Sequence, residues 1–591
     1  MRASGCVGLA LLLLVGGCAA LRGGGTHQDA ASQAVVARPA SESAPAESEA
    51  PREATAGVVA SAHGLATDAG AQVLRDGGNA FDAAVAVALV LGVVNPQSSG
   101  IGGGGFAVFR QSGSAPRSVD FRETAPSFFT PQTYTEDAAR SSSRGPWSVG
   151  VPGELAGLGW LHQQGGLLPW ERLVEPARSL AADGFPVGPY LRRALEAMSE
   201  AVLADPGMRA AFAPEGTVLE AGALCRRPAL ARTLEYVQLH GAAGFYDGPI
   251  ALSMTAFLAG QGLPWTASEL SNYSVVERAP LAARYRGHGV HTMGPPSSGG
   301  IAIVQTLGLL ERAEHHALEY GSPDWTRLLA QSLSHAFADR ATYGGDPDHV
   351  PVPLSDLLSG PTLDALSDRL PEAGPVALRT AGMAGLRGDS HGLLPDDGGT
   401  SHFSILDGLG NAVALTTTVN LWFGSGQIDP GTGVLFNDEL DDFAARPGVP
   451  NAFGLVQSER NAPDAFRRPL SSMTPTLVTN EDGVVVLAVG GAGGPRIITG
   501  TLQVLLGVVD RGLAATAAVT AARMHHQWLP QDVYLESSFP PAGRDALVSE
   551  GFSVSDLSRS AVVQPATFDP VTATWDGAGD PRADGTAVVV P

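Results

Sequence analysis

Two hydroxyl side chains stand where nucleophilic chemistry could use them. Ser390 lies in Gly388-Asp389-Ser390-His391-Gly392, a G-x-S-x-G elbow pattern. That elbow needs a strand before it and a helix after it. Here 381–387 is interrupted by glycine and 393–399 reads as a flexible loop, so the context fails. Thr400 follows Gly398-Gly399, and Thr400 to Leu406 predicts a strand. Asp407 to Asn411 predicts a turn and Ala412 to Asn420 a second strand, with Val413, Leu415 and Val419 alternating against Thr416, Thr418 and Asn420. A hairpin centred on Leu409 places Thr400 opposite Thr418, with Asn420 two residues further on the same face. A threonine at a strand start, preceded by two glycines, suits an N-terminal nucleophile. Cleavage before Thr400 would free an α-amine that serves as base for its own hydroxyl. On geometry alone the pattern is more common as an ordinary Thr-rich hairpin.

A second element bears on that choice. Val484 to Val489 predicts a buried strand, followed by Gly490-Gly491-Ala492-Gly493-Gly494, Pro495 and a helix over Ile497–Val509. A glycine-rich strand-to-helix turn points backbone N–H groups at an anion. One such donor at an oxyanion is worth about 3–4 kcal/mol. A simple β–α turn has the same sequence character.

The elements that must hold these groups are also legible. Asn79 is a good N-cap for a helix over Ala80–Val94 that is apolar nearly all round and therefore buried. Gly100 to Gly105 contains G-x-G-x-x-G, but Phe106 to Phe109 after it predicts a strand, so a tight turn with close backbone approach is expected rather than a dinucleotide site.

Composition excludes several chemistries. All 37 basic residues are arginine, which removes lysine Schiff bases, Walker-type phosphate loops and Ser–Lys dyads. The net charge of −22 argues against nucleic acid. The three cysteines are Cys6, Cys18 and Cys225, which leaves the folded part without an internal disulfide or thiolate metal cluster. Cys225 is expected as a buried small hydrophobe.

The N-terminus reads as an address. Arg2, the apolar run Val7 to Val15, and Val15-Gly16-Gly17-Cys18 resemble a bacterial lipoprotein signal, with residues 1–17 removed and Cys18 lipidated. An ordinary cleaved signal is the alternative. Residues 18–58, rich in Ala, Ser, Glu and Pro and without an aromatic residue, are expected as a disordered tether. The expected location is the bacterial periplasm, on a membrane through Cys18.

Longer motifs carry a resemblance. Gly77-Gly78-Asn79-Ala80-Phe81-Asp82-Ala83-Ala84, Gly100-Ile101-Gly102-Gly103-Gly104-Gly105-Phe106, Asp120-Phe121-Arg122-Glu123-Thr124-Ala125-Pro126, Pro295-Pro296-Ser297-Ser298-Gly299-Gly300 and Arg468-Pro469-Leu470-Ser471-Ser472-Met473 are similar to those of the γ-glutamyltransferases, of the N-terminal nucleophile hydrolase superfamily. The likeness runs from about Ala60 to Pro591. It implies an α/β fold, a four-layer αββα sandwich, and self-cleavage at Gly399–Thr400 into a large subunit (59–399) and a small subunit (400–591) that stay together as a heterodimer.

The resemblance also implies roles. Thr400 would be the autoprocessing residue and nucleophile, and Thr418 would orient its hydroxyl. Gly493 and Gly494 would supply the oxyanion N–H groups. Arg122 would take the α-carboxylate of a γ-glutamyl donor, with Ser471 and Ser472 adding donors. Asp442, Glu439 and Asn420 would take the α-ammonium. The reaction implied is γ-glutamyl transfer from glutathione and related donors to water, an amino acid or a peptide, with no metal and no organic cofactor. For Arg122 a plain salt bridge to Glu123 is the structural alternative. Glutaryl (cephalosporin) acylases and capsule or poly-γ-glutamate-processing enzymes share the scaffold. A glutaryl group lacks the ammonium, so Asp442 with Glu439 favours a glutamyl donor. An inert binding protein is disfavoured because every catalytic position matches. One departure stands out. Phe453 occupies the place of a lid tyrosine whose hydroxyl holds the asparagine corresponding to Asn420. This predicts a looser lid, unless Phe453 packs and another contact fastens it.

Overall fold

The hairpin around Leu409 forms, and it sets the centre of the molecule. In the computed structural model, which describes residues 53–370, 374–375 and 398–591, Gly398–Asp407 pairs antiparallel with Ala412–Leu421. Thr400 lies opposite Thr418, as the count from Leu409 requires. The register then slips between Thr418 and Asn420, so that Asn420 faces Gly399 and takes a positive φ of 77°. Asn420 is thus displaced by a bulge rather than simply two residues on, a correction to the regular hairpin. Bulges of this kind re-aim a side chain beside a site.

The hairpin sits in a seven-stranded sheet. We number its strands β1 (Gly57–Ser61), β2 (Gly104–Arg110), β3 (Arg117–Phe121) and β4 (Val276–Arg278). The second sheet contributes β5 (Leu281–Tyr285) and β6 (His288–Thr292); the hairpin is β7 and β8. Next come β9 (Thr476–Thr479), β10 (Val485–Val489), β11 (Ala566–Asp569) and β12 (Thr574–Gly577) of the second sheet, and β13 (Thr586–Val590) of the first. The orders are β13-β1-β7-β8-β2-β3-β4 and β12-β11-β10-β9-β6-β5. β1 forms within the stretch expected as tether, so ordered chain begins before residue 59: Gly57 pairs with Asp407 and Val590.

Three apolar cores separate four layers. The first lies between the seven-stranded sheet and helices α1 (Gly64–Arg75), α2 (Ala80–Val94), α3 (Glu154–Gly165) and α4 (Trp170–Asp183), and includes Phe403, Ile405, Val413 and Leu415. The second lies between the sheets, where Leu406, Ala412 and Ala414 meet Leu477 and Ala488. The third covers the outer face of the second sheet with α5 (Gly299–Arg312), α6 (Pro323–Tyr343) and α7 (Arg496–Val509). This is the expected αββα stack. Odd-numbered residues of β7 face α2, and the even-numbered Thr400, His402 and Ser404 face the second sheet, as period two demands. Asn79 caps α2 through a capping box with Asp82, and all fifteen residues of the helix are buried.

The Gly100–Gly105 run leads into β2 as expected. A Cβ on Gly103 would stand 1.9 Å from the Thr418 carbonyl oxygen, so glycine permits the backbone to close on β8. Ser390, Cys18 and residues 1–17 lie outside the described residues, as does the tether up to residue 52. Among the described residues no helix is long and apolar enough to cross a membrane.

Candidate active site

Thr400 is almost fully buried at the inter-sheet end of β7. Its hydroxyl lies 3.0 Å from that of Thr418. Thr418 accepts from the Asn420 N–H at 2.9 Å and donates to the Gly399 carbonyl oxygen at 2.9 Å. A hydroxyl has one hydrogen. With Thr418's spent on Gly399, the Thr400 hydrogen must point at Thr418. Its oxygen lone pairs are then free toward the Gly399 carbonyl carbon, which Thr418 polarises.

The glycine turn lies across from this pair. Gly493 and Gly494 have φ of 131° and 58°, and Arg496 and Ile497 donate back to their carbonyls to start α7. Pro495 is the N-cap, one position before the first helical residue. Among the described residues nothing accepts from the N–H groups of Gly493 or Gly494. The Gly494 nitrogen lies 2.9 Å from where a Cβ on Gly398 would be, beside the scissile segment.

A small pocket opens from Thr400 and Gly494 toward Arg122, Asn420, Glu439, Asp442, Ser471 and Ser472. Ten of the positions expected at the site come together here or at its rim. Arg122 is held by its main chain, with its N–H on Asp120 at 2.9 Å and its carbonyl accepting from the Tyr273 hydroxyl at 2.8 Å. Its guanidinium pairs with Glu439 and, at 2.6 Å, with Asp442, and donates to the carbonyls of Pro469 and Leu470. The alternative pairing with Glu123 does not form: both Glu123 oxygens are buried without a hydrogen-bond partner. Ser471 is fixed by the Pro295–Gly300 segment, its carbonyl accepting from the Ser298 N–H at 2.9 Å and hydroxyl at 2.6 Å. Arg340, also buried, donates to that Ser298 hydroxyl at 2.9 Å.

Burial sets the electrostatics. It pushes Glu439 up to about 7, with Arg122 only partly offsetting it, and raises Asp442 in the same way. Burial alone would lower Arg122, but Glu439 and then Asp442 outweigh it. Burial drives His402, two residues from the nucleophile, down to about 3; its ring nitrogens sit on the Thr416 and Ser404 hydroxyls at 2.8 and 3.1 Å, so it is a neutral structural group. Cys225 is buried, its thiol pushed up to about 11, far from nucleophilic. Among the described residues no group of three His, Cys, Asp or Glu is placed to hold a metal ion.

Phe453 covers the cavity. Its ring packs so tightly on Gly494 that a Cβ there would meet it at 2.7 Å. The segment is fastened without a tyrosine hydroxyl: the Ala452 N–H donates to Asp441 at 3.0 Å, and Gln527 donates to the Phe453 carbonyl at 3.1 Å. The Phe453 ring is thus packed and its segment held by contacts other than a side-chain hydroxyl. The sequence signalled no role for Gln527 or Arg340, and Ser298 stood out only as part of a longer motif. The buried run His525-His526-Gln527 was a visible cluster of polar residues that could have drawn attention.

The sequence model of the family described as gamma-glutamyltranspeptidase matches residues 66–590. The chain belongs to this family. The glutathione hydrolase proenzyme of Escherichia coli K12 is 37% identical over 535 residues, covering 89% of this chain and 90% of that one. A glutathione hydrolase proenzyme of Schizosaccharomyces pombe is 36% identical over 90% of this chain and 86% of its own. Among solved structures, cephalosporin acylase from Bacillus halodurans superposes with a TM-score of 0.77 at 26% identity, covering 94% of this chain and 99% of that one. Helicobacter pylori gamma-glutamyltranspeptidase gives 0.52 at 32% identity, over 59% of this chain and all of that one. The chain is therefore an enzyme of the gamma-glutamyltranspeptidase family, with the N-terminal nucleophile hydrolase fold.

Proposed function

We propose that this enzyme matures by cleaving Gly399–Thr400 and then hydrolyses or transfers the γ-glutamyl group of glutathione and related donors. The observation that carries this reading is one cavity containing the Thr400–Thr418 hydroxyl pair, the unused Gly494 N–H and a clamp of Arg122, Glu439 and Asp442. In the uncut chain Thr400 Oγ attacks the Gly399 carbonyl that Thr418 polarises. The Thr400 hydroxyl proton passes to the departing Thr400 nitrogen as the C–N bond breaks and the Gly399–Thr400 Oγ ester forms, and water then hydrolyses that ester to a Gly399 carboxylate and the free Thr400 hydroxyl. Loss of Gly399 frees the Thr418 hydrogen, which then donates to Thr400 Oγ. The new α-amine becomes the base. Thr400 next attacks the γ-carbonyl of the donor, and the oxyanion forms against the N–H groups of Gly493 and Gly494. The leaving amine takes the proton, and water or an acceptor amine resolves the γ-glutamyl ester.

Arg122 meets the donor α-carboxylate with its fork, helped by Ser471 and Ser472. Asp442, Glu439 and Asn420 take the α-ammonium. The glutaryl alternative, to which the acylase likeness speaks, leaves two buried carboxylates without a cation beyond Arg122. Steady-state assays against γ-glutamyl, glutaryl and poly-γ-glutamyl donors, with and without a dipeptide acceptor, test the assignment. A preference for glutaryl donors would overturn it.

The clamp gives a pH dependence. Protonated Glu439 cannot hold an ammonium, and its charge is lost as pH falls through about 7. The donor KM is therefore expected to rise as pH falls below that value, by at most about tenfold per pH unit, since one proton is taken up while Asp442 and Asn420 still face the ammonium. The α-amine base acts on kcat as well, so the KM limb is diagnostic. Glu439→Gln should flatten it, and an unchanged limb would exclude Glu439.

Export and a lipid anchor at Cys18 belong to the same proposal, supported by the run Val7 to Cys18. Cys18→Ser is expected to move the protein from the membrane pellet to the soluble fraction. An unmodified mature N-terminus beyond Cys18, read by mass spectrometry, would refute the anchor.

A further inference from the structure

The segment over the cavity is attached in an unequal way. Its tip, Asn451 to Leu455, is folded on itself: the Asn451 side chain accepts from the N–H groups of Phe453 and Leu455, both at 3.1 Å. Its other polar contacts run to its own root. Ala452 donates to Asp441, Asn451 to Asp441 and Asp442, and Gly448 to Gln457. Among the described residues one hydrogen bond alone ties 446–455 to a distant part of the chain. It is the bond from Gln527 Nε2 to the Phe453 carbonyl.

That donor is preset. Gln527 is buried, and its amide oxygen accepts from His525 Nε2 at 2.8 Å. His525 Nδ1 faces the Thr499 hydroxyl at 2.9 Å, in the first turn of α7. His525 is fully buried and, by that burial, neutral at ordinary pH. The Gln527 NH2 meets two carbonyls, those of Phe453 and Leu529, so its oxygen faces His525 and the proton of that neutral ring sits on Nε2; Nδ1 then accepts from the Thr499 hydroxyl, whose hydrogen also lies within reach of the Arg496 carbonyl at 3.2 Å. The Leu529 carbonyl lies 3.2 Å from the Gln527 NH2, so both its hydrogens are used. α7 itself begins at the turn carrying Gly493 and Gly494. Thr499, His525, Gln527 and Phe453 thus form one buried line between the oxyanion turn and the cover.

We propose that Gln527 is a positioning residue for donor binding: its amide, oriented by His525, latches the Phe453 main chain over the γ-glutamyl site. This rests on the reading of that cavity as the donor site. The latch acts on closure, not on the bond-making atoms. Its loss leaves self-cleavage intact, raises the donor KM more than it lowers kcat, and admits bulky donors relatively better.

Gln527→Glu keeps the oxygen toward His525 and sets a second oxygen against the Phe453 carbonyl. Gln527→Met removes both bonds at similar size. Each purified two-subunit enzyme is compared with wild type in limited proteolysis, and in assays with γ-glutamyl-p-nitroanilide and a bulky S-conjugate of glutathione. One net hydrogen bond corresponds to a change of up to about tenfold. Expected results are normal processing into two subunits, cleavage within 446–456 faster by up to about tenfold, and a several-fold higher KM with kcat within about twofold. The bulky-to-small ratio of kcat/KM should rise. Unchanged cleavage and KM in a processed Gln527→Glu enzyme would overturn the latch, as would kcat falling with KM unmoved. A wild type inactive on every γ-glutamyl donor would sink the donor-site reading instead, while the cleavage comparison would still decide whether Gln527 holds the segment.

Discussion

A Thr400→Ala chain is expected to run as one band where the wild type gives two, and to have no measurable turnover. The argument is geometric. Thr400 Oγ is the hydroxyl poised beside the Gly399 carbonyl, and Thr418, 3.0 Å away, spends its hydrogen on that carbonyl rather than presenting a second nucleophile. Removing a nucleophile that acts as part of a unit costs roughly 10^4-fold or more. N-terminal sequencing of the smaller wild-type band should read Thr-Ser-His-Phe, and its mass should match residues 400–591. Thr400→Ser should still cut, more slowly, because the β-branched methyl that restrains χ1 is missing. A wild-type chain that stays whole and is fully active would refute the scheme.

Asp442→Ala should have the next largest effect, and it separates the two donor classes. The carboxylate pairs with Arg122 at 2.6 Å in a buried setting and faces the space assigned to the donor ammonium. Truncating one partner of a buried hydrogen-bonded charge pair between protein and ligand costs about 2–5 kcal/mol of binding, so kcat/KM for a γ-glutamyl donor should fall by two to three orders of magnitude. A glutaryl donor has no ammonium to lose and should fall at least about tenfold less, since one hydrogen bond to a charged group is worth about 1.5–3 kcal/mol. Equal losses for both would mean that Asp442 acts only through Arg122.

The parts of this site that follow local rules were legible before any coordinates. Period two placed Thr400 against Thr418, and the glycine run before Pro495 and Arg496–Val509 announced the strand-to-helix turn beside Thr400. A one-residue bulge at Asn420 has no such signature, because it depends on how β8 meets the 437–442 segment, where Asn420 donates to the Asp438 carbonyl. Arg122 shows the larger limit. Its neighbour in sequence, Glu123, looked like a partner, yet Arg122 follows the end of β3 at Phe121 and its guanidinium turns away, leaving both Glu123 oxygens without a hydrogen bond. The partners that form, Glu439 and Asp442, are more than 300 residues away. The polar run His525-His526-Gln527 is visible in the sequence, but the part Gln527 plays is not, because it lies in a contact across 74 residues with a main-chain carbonyl, which no side-chain pattern encodes.

The strand order of the first sheet carries a consequence for the cut protein. β13 precedes β1, β7 and β8 follow, and β2, β3 and β4 complete the sheet, so strands from before and after Gly399 alternate across it. β1 lies between β7 and β13, with a ladder on each side. The precursor assembles this weave as one covalent chain, by unimolecular closure. Once the peptide bond is gone, reassembly after melting requires two polypeptides to find each other, and becomes dependent on concentration. Scission therefore converts an equilibrium fold into a one-way product whose lifetime is set by its unfolding rate. A heated and cooled sample of the uncleaved Thr400→Ala chain should recover its native structure at dilutions where the mature pair does not.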